Sequence, residues 1–384
     1  MLLHLRVHLC ALFLALSPLA SLAAPPSYDH PSQTVLSQAA LSDILFRGLP
    51  ILGPDNGCSK TLKTCDWMAK IPDNTPLGTT QPQHKPLSLG YTGPLPPAYL
   101  FRCQERSLLQ SLNDGIRVFD LRFAYNPGND TIGFYHSLLA PTTTMTDVFF
   151  GLYQWLNKHP TEAVLVSINH ESGTGTPYDA KIQEMVYDII NSDIGNTYWV
   201  QTSGSLGTLG QARGKLTLLQ RFTFDLLPAY KTKRIGIQLD PGHWTDNGKA
   251  IELVYNADKG LTAFIEDYYD SSLPLTSKPS QFIEEKFGAT TAQLGNATLF
   301  NPDQLYISFA SAAAIVTGVV KVDMTPRHAD VNPKMFATGN GTDTLGMNQK
   351  LLPWLKARKG SKFGIIMLDF YDAVPGLVEA VIGL

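Results

Sequence analysis

The chain has 384 residues, of which 44% are hydrophobic and only 16% charged, and its mean hydropathy is −0.04. That supplies a large core and excludes wholesale disorder, while a formal net charge of −3 excludes a bulk electrostatic footprint for nucleic acid. At roughly 150 residues per domain the length allows two domains, although β/α barrels of this size fold as one.

The first residues read as targeting. Arg6, His4 and His8 precede an apolar run, Leu9 to Leu16, which Pro18 ends, and Ser21-Leu22-Ala23 carries small residues at both cleavage positions. The run is too short to span about 30 Å of hydrocarbon. Residues 1–23 are therefore expected to be a signal peptide and the protein to be secreted and extracellular. Sequons at Asn129, Asn296 and Asn340 fit that route as glycosylation sites. Cys58 and Cys65 flank a short loop and are expected to pair in an oxidising compartment, which leaves Cys103 as a buried thiol.

Residues 24–64, rich in Ser, Pro and Gly, read as an N-terminal arm. The prolines from Pro72 to Pro97 are too dense for a helix or a central strand. Ile116 to Phe123 and Thr131 to Tyr135 are β-rich runs. Thr144-x-x-Asp147 opens a helix that Pro160 stops. Ala163 to Ile168 is a buried strand, and a helix starting around Asp179 presents Ile182, Val186 and Ile190 on one face. Leu216–Leu219, Ile235–Leu239, Thr262–Ile265, Leu305–Phe309 and Gly364–Leu368 are further strands. Helices around Phe282–Phe287, Asn348–Ala357 and Pro375–Ile382 fall between or after them. Apolar strands alternating with amphipathic helices predict an α/β fold with a parallel sheet, closed as a single distorted TIM barrel over residues 65–384.

Polar residues stand at the ends of these strands: Arg122, His136, Glu171, Arg221, Asp267 with Tyr269, and Asp369. In a β/α barrel the C-terminal strand ends form the rim that carries the chemistry. Two arginines, three acids, a histidine and a tyrosine on one rim suit phosphodiester cleavage. A guanidinium fork neutralises phosphate oxygens without a metal, and a histidine protonates a leaving oxygen. No zincin, nucleophile-elbow, dinucleotide or P-loop motif is complete, so no cofactor or metal is expected.

The segments Tyr99 to Ser107, Leu112 to Arg122, Phe134 to Ser137, Trp155 to Glu162, Trp244 to Asn247, Asp267 to Tyr269 and Met367 to Phe370 resemble secreted fungal proteins of the phosphatidylinositol-specific phospholipase C X-domain superfamily. The resemblance implies a distorted TIM barrel. It also implies attack by a substrate hydroxyl on the adjacent phosphate, with release of a cyclic phosphodiester. His136 would be the general acid and Arg122 the phosphate-neutralising group. Asp369 would orient a general-base histidine, and Glu171, Arg221, Asp267 and Tyr269 would line the headgroup pocket. The implied partner is a phospholipid or small phosphodiester, met in transient contact with a membrane surface by a monomer, with no nucleic acid involved.

The chain departs from the family at one point. After Trp67 to Leu77, Thr80-Gln81 stand where a first-strand His-Asp pair is expected, and no apolar run marks a strand over 78–88. His84 is the histidine nearest to that place and the candidate base. The rival reading is a non-catalytic secreted barrel that binds lipid headgroups or glycans.

Overall fold

A computed structural model describes residues 57–58, 64–70, 73, 83–84, 103–136, 138–139, 144–274, 277–301, 303–312 and 333–384. The expected signal peptide, most of the arm, Thr80-Gln81 and most of the proline-rich stretch lie outside the described residues. Cys58 and Cys65 form a disulfide, and Cys103 is buried outside any disulfide. Among the described residues, no helix is long and apolar enough to cross a membrane.

The strands are β1 (Gln83–His84), β2 (Val118–Tyr125), β3 (Ile132–His136), β4 (Leu138–Leu139), β5 (Val164–His170), β6 (Leu216–Arg221), β7 (Ile237–Gln238), β8 (Ile251–Asn256), β9 (Leu261–Glu266), β10 (Leu305–Phe309) and β11 (Ile365–Met367). They form two sheets, with orders β1-β11-β10-β9-β8 and β4-β3-β2-β5-β6-β7. Strand β1 also lies alongside β2, where the two sheets meet. The ladders β1–β11, β10–β11, β9–β10, β2–β5, β5–β6 and β6–β7 are parallel, as expected for a β/α barrel.

Period-two alternation sorts the strand side chains into two layers. Val118, Leu165, Leu219, Ile265, Ile307 and Ile365 belong to the inner core. Phe119, Leu121, Val166, Ile168, Leu218 and Ile366 belong to the outer core, packed with the helices. The two main helices between β4 and β6, α1 (Met145–Lys158) and α2 (Ala180–Asn191), start as their sequences predict. Thr144 and Asp147 close a reciprocal capping box, Asp147 N–H donating to Thr144 Oγ1 at 3.1 Å. Asp179 accepts from the Ile182 N–H at 3.0 Å.

At the N-terminal ends of β2 and β5, Arg117 and Glu162 form a fully buried ion pair, with Arg117 Nη2 2.8 Å from Glu162 Oε2. The remaining Arg117 donors reach the carbonyls of Leu112 and Ile116 at 2.6 and 2.9 Å. Glu162 accepts from the Met68 N–H at 3.0 Å, so the segment after the disulfide is tied to this end of the strands.

Three expectations are corrected. The sheet is not all parallel: β2–β3–β4 and β8–β9 are antiparallel hairpins. Strand β8 went unread because it alternates, Ile251 and Leu253 inward with Glu252 and Val254 outward, instead of forming a continuous apolar run. The stretch 78–88 does contain a strand. Two residues, Gln83 and His84, pair with Ile365 and Ile366 through the backbone, which requires no apolar run.

Candidate active site

The C-terminal ends of β2, β5 and β6 are in register. Arg122 pairs with Asn169, and Asn169 with Arg221. Two residues before Arg122, and so on the same face, stands Asp120. It is buried and accepts from Ser167 Oγ at 2.5 Å and from Arg221 Nη1 at 2.9 Å. Arg122 points Nη1 at Glu171 Oε2, 3.3 Å away, and its Nε is 4.0 Å from Asp120 Oδ2. The Arg122 side chain remains 41% exposed, whereas that of Arg221 is 8% exposed. One guanidinium is thus a fixed part of the wall and the other is open to a ligand.

The opposite wall is aromatic and acidic. Trp244 lies under Arg221, with the guanidinium carbon 3.8 Å from the ring centre, and donates its indole N–H to Asp267 Oδ2 at 2.7 Å. Burial pushes the Asp267 carboxyl up from its ordinary value, against the pull of Arg221, the Trp244 hydrogen bond, Lys286 and Arg122. Behind it, the buried Lys286 ammonium sits 2.5 Å from Glu266 Oε1 and donates to the Tyr268 carbonyl at 2.6 Å. The exposed Tyr269 donates its hydroxyl to Asp246 at 2.9 Å. Partial burial and the Asp246 and Asp267 carboxylates push this phenol up to about 12.

His136 ends β3. Its strand runs antiparallel to β2, so its C-terminal end does not belong to the parallel rim. His136 follows the outer-core Phe134 by two residues, and its own strand end pairs it with Leu138. Asp369 lies two residues beyond the inner-layer Met367 and is 4% exposed. His84 is in ladder register with the outer-layer Ile366.

One chain of hydrogen bonds, ion pairs and a stacked ring therefore joins Glu171, Arg122, Asp120, Arg221, Trp244 and Asp267. Four of these were expected from their strand-end positions. Asp120 and Trp244 were not, nor was Asp246. The Asp120-x-Arg122 spacing, which sets both residues on one face, was the available signal for Asp120. Trp244 and Asp246 lie on an irregular loop without periodicity. Chemically, the arrangement offers an accessible cation for an anionic oxygen and carboxylates for hydroxyl groups.

No protein-family model matches the chain. Over 246 residues, which is 59% of the chain and 75% of the relative, it is 24% identical to 1-phosphatidylinositol phosphodiesterase of Listeria monocytogenes. Its fold is similar to a solved structure of phosphatidylinositol-specific phospholipase C from Staphylococcus aureus, at a TM-score of 0.63 and 19% identity. That match covers 84% of this chain and 97% of the other. The solved Listeria monocytogenes phosphatidylinositol-specific phospholipase C gives a TM-score of 0.60 at 20% identity, over 84% of this chain and 98% of that one. The distorted α/β barrel is the fold of these phospholipases.

Proposed function

We propose that the chain is a phosphodiesterase of the phosphatidylinositol phospholipase C type. Its substrate is a phosphodiester whose neighbouring carbon bears a hydroxyl, and the reaction needs no metal. The observation that carries this reading is the grouping of Arg122 and Arg221 around the single carboxylate Asp120. The similarity to bacterial enzymes whose names state this activity supports it.

In the proposed reaction, Arg122 neutralises a non-bridging phosphate oxygen. The neighbouring hydroxyl oxygen forms a bond to phosphorus while the bond from phosphorus to the lipid alcohol breaks. His136 gives its proton to the departing alcohol oxygen. The hydroxyl proton passes to Asp369, the buried carboxylate closing β11. Asp267, Asp246, Glu171 and Tyr269 hold the other hydroxyls of the headgroup. Aspartate is a weaker base than histidine, and loss of a general base typically costs about 10²–10⁴-fold, so a slow enzyme is expected. The product identifies the reaction. Phosphorus NMR of the released headgroup is expected to show a strained cyclic phosphodiester before any acyclic monoester, and an acyclic product alone would rule out attack by the neighbouring hydroxyl.

A second reading, a headgroup-binding barrel without turnover, is favoured by Thr80-Gln81 in place of the expected His-Asp pair. It predicts binding of inositol phosphates with no product.

Secretion and glycosylation belong to the same proposal. The Cys58–Cys65 disulfide and the exposure of Asn129, Asn296 and Asn340 support it. Expression in a eukaryotic secretory host, followed by enzymatic deglycosylation, should lower the mass at these three asparagines. An unchanged mass would remove the glycosylation proposal.

A further inference from the structure

The five residues from Leu368 to Asp372 are each tied to a distant part of the chain. Gln104 Nε2 donates to the Leu368 carbonyl at 2.8 Å. The Phe370 N–H donates to the Cys103 carbonyl at 2.7 Å. Tyr371 donates its hydroxyl to Asp114 at 2.9 Å, and Arg106 donates to Asp372 at 3.0 Å. At the centre of the turn, Asn348 Nδ2 donates to the carbonyls of both Asp369 and Phe370, at 2.8 and 3.1 Å.

Two features of this turn are unfavourable in themselves. Phe370 is a non-glycine residue in the left-handed region, at φ 45 and ψ 50, although it is fully buried and has no side-chain hydrogen bond to hold that conformation. Asn348 is 0% exposed, and its Oδ1 is buried without a hydrogen-bond partner. A buried orphan acceptor and a strained backbone persist only where the surroundings over-determine them, and such sites cluster around function. Here both meet at the residue that follows Asp369 and at the amide that grips it.

We propose that Asn348 is a positioning residue, holding the Asp369–Phe370 backbone so that the Asp369 carboxylate stays at the mouth of the barrel. The left-handed Phe370 turns the chain sharply after Asp369, and the paired Asn348 bonds stop that turn from relaxing into a longer, looser loop. This inference rests on the proposed phosphodiesterase reading for the role of Asp369, and not for the existence of the clamp.

The test uses the full chain with Asn348→Leu, which keeps the volume but removes the donors and the orphan oxygen, and Asn348→Ser as the smaller alternative. The readouts are kcat and KM for cyclic inositol phosphate release and the hydrogen exchange of the Phe370 amide, with β5 amides reporting that the variant is folded. Expected in a folded variant are at least tenfold faster exchange at Phe370, a kcat reduced at least tenfold, and a KM within twofold. Unchanged exchange at Phe370 overturns the clamp. Faster exchange with unchanged kcat overturns the positioning role. A wild-type protein that releases no cyclic phosphate instead refutes the proposed function, and the exchange arm still decides whether the clamp exists.

Discussion

The guanidinium carbon of Arg221 lies 3.8 Å above the centre of the Trp244 ring. This contact joins the two walls of the site. On one side Arg221 holds Asp120, and on the other the Trp244 indole N–H holds Asp267. A single aromatic side chain thus touches both a cation and an anion of the site.

Replacing Trp244 separates these two actions. Trp244→Phe keeps a ring beneath Arg221 but removes the donor to Asp267, a hydrogen bond to a charged group worth about 1.5–3 kcal/mol. Headgroup affinity, measured by calorimetry with inositol phosphate, is expected to weaken about tenfold. Trp244→Ala also removes the stacking, about 0.5–2 kcal/mol, and should weaken it further. Equal affinities for the wild type and both variants would show that the wall is incidental.

The pH dependence of binding follows from Asp267. Burial raises its pKa, so the ionised form that accepts from headgroup hydroxyls is lost on acidification earlier than for an ordinary aspartate. Affinity should therefore fall with a midpoint above about 4, and Asp267→Asn should remove that titration. The stability sign is the reverse of the usual carboxylate case. The fold disfavours the ionised form, so the penalty is absent below the unfolded pKa and develops as pH rises through the folded one. Relative to the wild type, Asp267→Asn should gain stability in urea titrations as pH rises above the ordinary aspartate range. A stability difference that stays constant with pH would refute the shift.

Stability and function should separate along the strands. Arg117 and Glu162 lie at the N-terminal ends of β2 and β5, whereas Arg122 and Glu171 lie at or beyond their functional ends. Glu162→Ala leaves a buried guanidinium unpaired, which typically costs about 3–5 kcal/mol. The urea midpoint should fall sharply, while KM of the folded fraction stays within about twofold. A large KM change would mean that the two ends are coupled.

The proton acceptor is tested by two substitutions. Asp369→Asn should lower kcat by about 10²-fold or more, at the lower end of general-base effects. His84→Ala should leave kcat within about threefold if Asp369 takes the proton. The opposite ranking would return the base to His84.

Much of this arrangement is legible in the sequence because strand-end polarity is a local signal. Arg122, Glu171, Arg221 and Asp267 each follow an apolar run, and each joins the same chain of contacts. The capping signals at Thr144 and Asp179 likewise act within a few residues. The hairpin direction of β3 was not legible, because pairing sense depends on the partner strand and not on the apolar pattern of Thr131 to Tyr135. Strand β1 was hidden for a related reason. A backbone ladder to an existing edge gives little side-chain signature. Asn348 carries no sequence signal at all, since its role depends on a turn 21 residues away.

The central claim is that His136, the last residue of β3, protonates the leaving alcohol in a metal-independent phosphodiester cleavage. Release of cyclic inositol phosphate from phosphatidylinositol vesicles in excess chelator, by the wild type and by His136→Ala, tests it most directly. The account predicts slow but measurable release by the wild type and a loss of about 10²-fold or more in the variant. Equal rates, or silence from both, would contradict it.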